Sequence, residues 1–236
     1  MSIEIRQLRR LERRFAASRH ARRPGRHFFI AAGRSHLGDL AKRGMDIVIA
    51  GGALLAFLPL GLIIAALIKR DGGPVFYWQD RVGYRGRIFR FPKFRSMVTN
   101  ADALRAQLLE NNDHAGSGVT FKAENDPRIT AIGRFLRRSS LDEIPQLWSI
   151  LKGDMTLVGP RPALPDEVRR YTPRQRRRLE VKPGLTCIWQ VSGRSHIPFE
   201  GQVALDLEYI RTRSFTGDIA LLIKTVPAVL FGRGAS

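Results

Sequence analysis

The amino-acid sequence predicts a mixed α/β fold, mainly α, held at a membrane by one long apolar helix and completed by interfacial helices and a small β element. Three observations predict it. From Ile47 to Ile68 the chain runs IVIAGGALLAFLPLGLIIAALI, 22 residues without a charge, which is the length of a bilayer-crossing helix. Basic residues crowd both flanks of that run. The rest of the chain divides into short amphipathic segments separated by Pro and Gly.

Composition narrows the partners. The chain has 236 residues, 44% of them apolar, enough to bury a core. Its 40 Lys and Arg against 21 Asp and Glu leave a formal charge of +19. Such an excess calls for phosphate-rich partners: nucleic acid, anionic membrane lipid or phosphorylated substrates. Charge alone does not choose among the three. The single cysteine, Cys187, excludes an internal disulfide framework and any Cys-based zinc site, which fits a soluble portion in the reducing cytoplasm.

The apolar run begins behind an arginine-rich arm and no small-residue cleavage motif follows it, so it reads as a retained segment and not a removable signal. Residues 1–43 carry twelve Lys or Arg against three acids, and residues 69–95 carry eight against two, so the positive-inside rule keeps both sides cytoplasmic. One straight span cannot satisfy that. A helix broken near Pro59, eased by Gly51, Gly52 and Gly61, can enter the membrane and return to the same face, but the backbone groups freed at the break then need partners. On these features a re-entrant helix and a spanning helix both stay open, with a buried soluble helix as the third reading. Lys42, Arg43 and Asp46 at one end, and Lys69 and Arg70 at the other, are placed among headgroups.

Three regions follow: a basic, flexible arm over 1–40, a membrane helix over 41–70, and a larger domain over 71–236. In that domain, residues 74–98 alternate aromatic and basic side chains around a Gly-Tyr-Arg-Gly turn and predict a short hairpin able to hold phosphate. Thr99 or Asn100 can cap a helix through about Glu110, and 111–120 read as a loop. In NDPRITAIGRFLRR, Asp126 can cap a helix with Pro127 at its first position and Ile129, Ile132, Phe135 and Leu136 on one face. A further helix is predicted from Pro165 to Leu179, ending in the arginine cluster of TPRQRRRLE. LTCIWQV, after Pro183-Gly184, alternates with the strand period. Ile219 to Phe231 is apolar, too short to span, and suited to an interface.

The strongest chemical signal is SSLDEIPQLW, residues 139–148. Its bland reading is a capping box, Ser140 as N-cap and Glu143 three residues on. Two adjacent carboxylates in a first helical turn also meet free N–H groups and the positive end of the dipole, which favour their ionised forms. Neighbours on a helix point about 100° apart, so Asp142 and Glu143 suit different tasks, one attacking phosphorus and one holding a metal. Arg134, Arg137 and Arg138 precede the pair, and Arg161 follows between two prolines. Guanidinium forks match phosphate oxygens. For any one of them a solvated arginine is the plainer reading, and clustering beside two carboxylates favours phosphate. Lys93 and Arg95 in PKFRSM, and Arg194 in SGRS, are comparable candidates. The five histidines lack metal-ligand spacing, so neither a zinc enzyme nor a serine triad finds support.

From Lys42 onward the ordered motifs KRGMD, DGGPVFYWQDRVG, FPKFRSM, NDPRIT, LRRSSLDEIPQLW, KGDMTLVGPRP and KPGLTCIWQVSGR resemble the bacterial sugar transferase family of monotopic phosphoglycosyl transferases. The short exopolysaccharide-initiating members, which load galactose-1-phosphate or glucose-1-phosphate onto undecaprenyl phosphate, are the most similar. The resemblance implies a monotopic enzyme of the bacterial inner membrane, with the apolar segment a broken re-entrant helix and the catalytic domain on the cytoplasmic face. It implies that Asp142 attacks the sugar-bearing phosphate of a UDP-sugar, that Glu143 binds Mg²⁺, and that UMP leaves before undecaprenyl phosphate takes the phosphosugar. Arg137 matches a phosphate-contacting arginine and Arg161 the arginine of a nucleotide-associated Pro-Arg-Pro motif. This chain has Leu58 before Pro59 where other members carry serine, so the resemblance does not say how the break is hydrogen-bonded here.

Two other classes compete. A membrane-tethered nucleic-acid binder would use the arm and TPRQRRRLE, yet no helix-turn-helix, zinc-finger or RNA-recognition signature is present, so no nucleic-acid partner is expected. A structural adaptor leaves the paired carboxylates unexplained.

Overall fold

A computed structural model of the chain describes residues 36–101, 104, 126–192 and 197–230. The arm over 1–40 falls outside them apart from its last five residues. So do Arg194, the loop 111–120 and most of the helix expected after Asn100.

Helix α1, His36–Lys69, is 34 residues long and stays helical through Pro59. The expected break at that proline is therefore not a gap in the helix: the ring removes one backbone donor and the helix continues beyond it. It is one helix long and apolar enough to cross a membrane, and only 11% of its most apolar window is buried in the protein. The buried minority is informative, because both halves of α1 are fastened to the same body. Near its start, Arg43 donates to the carbonyls of Ile150 and Leu151 at 2.6 and 2.7 Å. Asp46 accepts from Thr156 Oγ1 and the Leu157 N–H at 2.6 and 3.0 Å, and Lys42 pairs with Asp218. Near its end, Ile64 and Ile68 are buried with Phe94 and Leu136, while Arg95 donates to the Ile68 carbonyl at 3.1 Å and pairs with Asp71. Between these anchors Leu55, Leu58, Leu62 and Ile63 are exposed.

The expected hairpin is present. Strands β1, Phe76–Val82, and β2, Ile88–Phe94, pair antiparallel with Phe76 opposite Phe94 and Val82 opposite Ile88. Arg85 and Gly86 at its tip both have positive φ, the backbone that matches the right-handed twist of paired strands. Helix α2, Ala131–Arg138, begins later than the sequence predicts. Thr130 caps it, accepting from the Gly133 N–H at 3.0 Å, whereas Asp126 is taken up by the Arg128 backbone and guanidinium. Gly133 lets α2 lie against the Ser96 backbone, where a Cβ would sit 2.0 Å from the carbonyl oxygen.

Helix α3, Gln146–Lys152, packs under α1 and leads into β3, Thr156–Val158, which pairs in parallel with β4, Gly184–Thr186. The single helix predicted over 165–179 divides into α4, Pro165–Arg170, α5, Pro173–Arg176, and a 3-10 turn, Arg177–Glu180. The division falls where Tyr171 and Thr172 turn extended ahead of Pro173, as the residue before a proline is pushed to do. LTCIWQV, predicted as a strand, is strand only to Thr186; after Cys187, α6, Ile188–Ser192, takes over, and Cys187 and Trp189 are both buried, since a short apolar run fits either period. Helices α7, Phe199–Thr212, and α8, Phe215–Leu230, close the fold. Phe215, Ile219, Ile223 and Val226 of α8 form an exposed apolar stripe, and Asp218 turns inward to Lys42 and Tyr209. The main core joins Ala50 of α1 to Phe89, Phe91, Ile150, Met155 and Leu157.

Candidate active site

Asp142 and Glu143 sit on a single 3-10 turn, Leu141–Glu143, between α2 and α3. The capping box does not form. An N-cap residue needs extended backbone, and Ser140 has a left-handed one, φ 57°, with no side-chain cap bond. A non-glycine residue held there costs on the order of 1–3 kcal/mol and is characteristic of functional sites. The conformation lets the chain reverse at the end of α2, with the Ser140 N–H on the Arg137 carbonyl at 3.2 Å and the Glu143 N–H on the Ser140 carbonyl at 3.2 Å. The carboxylates thus stand just ahead of α3 and not within its first turn.

Lys93 of β2 bridges the pair. Its Nζ donates to Glu143 Oε1 at 2.8 Å and lies 3.5 Å from Asp142 Oδ2. Asp142 is buried, while the Glu143 side chain is 28% exposed. Burial raises the Asp142 carboxyl above its ordinary range, and the neighbouring Glu143 charge adds to this against the pull of Lys93 and Arg137. Burial also opposes charge on Glu143, but Lys93 and Arg161 outweigh it and hold that carboxyl at about 2. The two acids are thereby separated: Glu143 is a fixed anion, and Asp142 is the less solvated and more basic oxygen donor.

Arg137 is fixed by a 2.8 Å bond from Nε to Ser96 Oγ. Its guanidinium is close enough to Asp142 for the two charges to act on one another, although burial lowers its own pKa. Arg161 is exposed and acts on Glu143. Arg95 is not brought to this pair; it fastens the end of α1 instead. The sequence reading missed Arg81. Buried in β1, it donates from Nη1 to the Pro162 carbonyl at 3.0 Å and from Nη2 to Gln79 at 2.6 Å, and the Val82 N–H donates to the Ala163 carbonyl at 2.9 Å. These bonds clamp the loop that carries Arg161. Burial and the adjacent Arg161 charge bring Arg81 down to about 10. Nothing in the sequence singles it out among the basic residues of the hairpin.

A buried carboxylate flanked by Lys93 and Arg137, next to a Glu143 on which Arg161 acts, can attack a phosphorus whose oxygens those cations neutralise. Phe135 of α2 and Trp148 of α3, on elements flanking the turn, are 58% and 55% exposed, as side chains at an apolar–polar boundary are.

Comparison with known proteins identifies the family. The galactosyl transferase CpsE of Streptococcus agalactiae is 47% identical over 205 residues, covering 85% of this chain and 44% of that protein. The undecaprenyl-phosphate galactose phosphotransferase of Salmonella typhimurium is 45% identical over 196 residues, 82% of this chain and 41% of its own length. This chain thus spans less than half the length of those two relatives. The exopolysaccharide production protein ExoY of Rhizobium meliloti is 42% identical over 202 residues, 84% of this chain and 89% of its own. With a family match that runs from residue 37 to residue 232, the chain belongs to the bacterial sugar transferase family.

Proposed function

We propose that the chain transfers a hexose-1-phosphate, galactose-1-phosphate or glucose-1-phosphate, from a UDP-sugar to undecaprenyl phosphate at the cytoplasmic face of the bacterial inner membrane, releasing UMP, as the first step of exopolysaccharide or glycoconjugate assembly. The observation that carries it is the buried Asp142 beside the Lys93-bridged Glu143. In the first step an Asp142 carboxylate oxygen bonds to the phosphorus that bears the sugar, and the bond from that phosphorus to the bridging oxygen breaks. The electron pair leaves with UMP, whose new phosphate charge Arg137 and Arg161 are positioned to meet. In the second step a phosphate oxygen of undecaprenyl phosphate bonds to the same phosphorus. The acyl-phosphate bond breaks and Asp142 is a carboxylate again, so no net proton is needed.

Mg²⁺ is part of this proposal. Among the described residues no group of three His, Cys, Asp or Glu could hold a metal by itself, and an adjacent carboxylate pair suits an ion bound through one or two carboxylates plus substrate phosphates. Glu143 is the residue that would hold it, and the ion would offset repulsion between diphosphate and carboxylate. The membrane geometry supports the acceptor. An isoprenoid tail leaves the bilayer at a cost of about 0.8 kcal/mol per methylene, so the carboxylates must work at headgroup depth. The exposed middle of α1, the α8 stripe, Phe135 and Trp148 supply an apolar surface for that, and a helix fastened at both ends to one domain supports the re-entrant reading.

The test is to incubate purified protein with undecaprenyl phosphate, Mg²⁺ and a panel of UDP-sugars. UMP release with one hexose is expected. Release of UDP instead would mean simple glycosyl transfer and contradict the proposal.

A further inference from the structure

The arginine run of TPRQRRRLE is not absorbed by the active site, and its members behave differently from one another. Arg176 donates from Nε to the Tyr171 carbonyl at 3.1 Å. Arg178 is buried and bonded to Asp206 and Tyr171 at 2.7 and 2.8 Å. Both hold the fold together. Arg174 and Arg177 turn the other way, into a groove of about 330 Å³ that Arg211 of α7 also lines, with Ala204, Leu207 and Glu208. Among the described residues neither Arg174 nor Arg211 has a hydrogen-bond or ion-pair partner, and Arg177 has only an exposed contact with Glu180 at 3.8 Å. None of the six lining residues belongs to the Asp142 site.

We infer that this groove is a second phosphate-binding site, taking a phosphomonoester or diphosphate group between Arg174, Arg177 and Arg211. Three guanidiniums drawn from α5, the 3-10 turn and α7 line one concavity. Like charges lining one groove repel unless an anion lies between them, and a guanidinium fork matches the oxygens of a phosphate with two parallel hydrogen bonds. With Glu208 in the lining and Glu180 beside Arg177, the three arginines keep a surplus of one positive charge, which favours an anion. The apolar patch of Ala204 and Leu207 suits the carbon skeleton of the group that carries the phosphate. That group is either a soluble phosphorylated molecule or an anionic lipid headgroup, and the experiment separates the two.

The protein is prepared with ¹³C-methyl Ala and Leu in nanodiscs of zwitterionic lipid, and the Ala204 and Leu207 methyl signals report the groove independently of the active site. Pyrophosphate is titrated against a chloride control of equal ionic strength, and in a second arm the nanodiscs contain phosphatidic acid with no added phosphate. A saturable shift in the first arm identifies a soluble ligand, and a shift already present in the second identifies the lipid. Arg174→Gln/Arg211→Gln is expected to weaken either response by about tenfold per guanidinium removed, with unchanged thermal unfolding, and the Lys/Lys pair to recover part of it. Shifts that only track ionic strength in both arms, or that are as strong in the Gln/Gln variant, would overturn the inference.

Discussion

Asp142 and Glu143 are neighbours in sequence with opposite electrostatics, and the different roles proposed for them follow from that difference. Asp142 is raised by burial, so its charge costs stability at neutral pH, and the cost disappears on protonation. Asp142→Asn is therefore expected to raise the melting temperature at pH 7 in metal-free buffer while lowering UMP release on the order of a thousandfold; an unchanged rate would remove it from the reaction. Glu143 is held at about 2. Its contribution to stability is complete above its unfolded value, about 4.3, and is lost as pH falls from there toward 2. Lys93→Met takes away the largest influence lowering both carboxyls. We expect turnover to drop about tenfold to a hundredfold, with partial recovery as pH rises and Asp142 ionises. A flat pH response of the variant would mean that Lys93 does not tune Asp142. Candidacy of Asp142, Glu143, Lys93, Arg137 and Arg161 was legible in the sequence because carboxylates and arginines cluster there. The left-handed Ser140 was not, since a Ser-x-x-Glu pattern writes a capping box and a tight reversal with the same letters.

Elements hold these residues by close backbone approach. The Gly133 Cα faces the Ser96 carbonyl so closely that Gly133→Ala must push α2 away, and Arg137 with it, breaking the Arg137–Ser96 bond. A cost of about 1–3 kcal/mol in stability is expected, together with slower turnover; a variant as active and as stable as the parent would show that α2 has room to adjust. The hairpin was readable because its turn carries Gly-Tyr-Arg-Gly and its strands alternate. The helix over 165–179 was overextended because its apolar spacing continues across Thr172-Pro173, where the backbone does not. The strand after Gly184 was overextended for a related reason: a short apolar run fits either period, and tertiary packing of Cys187 and Trp189 decides. The parallel pairing of Thr156–Val158 with Gly184–Thr186 joins segments far apart in sequence, which no local pattern reports.

At the scale of the whole molecule, α1 is a long apolar helix whose two ends are bound to one domain by Lys42, Arg43 and Asp46 on one side and Ile64, Ile68 and Arg95 on the other. A helix crossing about 30 Å of hydrocarbon would separate those ends by the membrane. Cysteines placed at exposed Leu40 and Arg70, against the buried native Cys187, are expected to react with an impermeant label from the same side; labelling from opposite sides would mean a spanning helix. The charge on both flanks pointed to two ends on one side and left a spanning helix open, whereas the fastening by Asp46 and Arg95 was visible only once the fold was built. The proposed function turns on one event, the attack of Asp142 on a phosphorus at headgroup depth. The direct measurement is to give the enzyme a UDP-sugar labelled in the sugar-bearing phosphate, without acceptor, and map the product by mass spectrometry. One UMP released per enzyme and a labelled phosphosugar on Asp142, discharged by undecaprenyl phosphate, is the expected result. Full turnover with acceptor and no adduct at Asp142 would contradict the account.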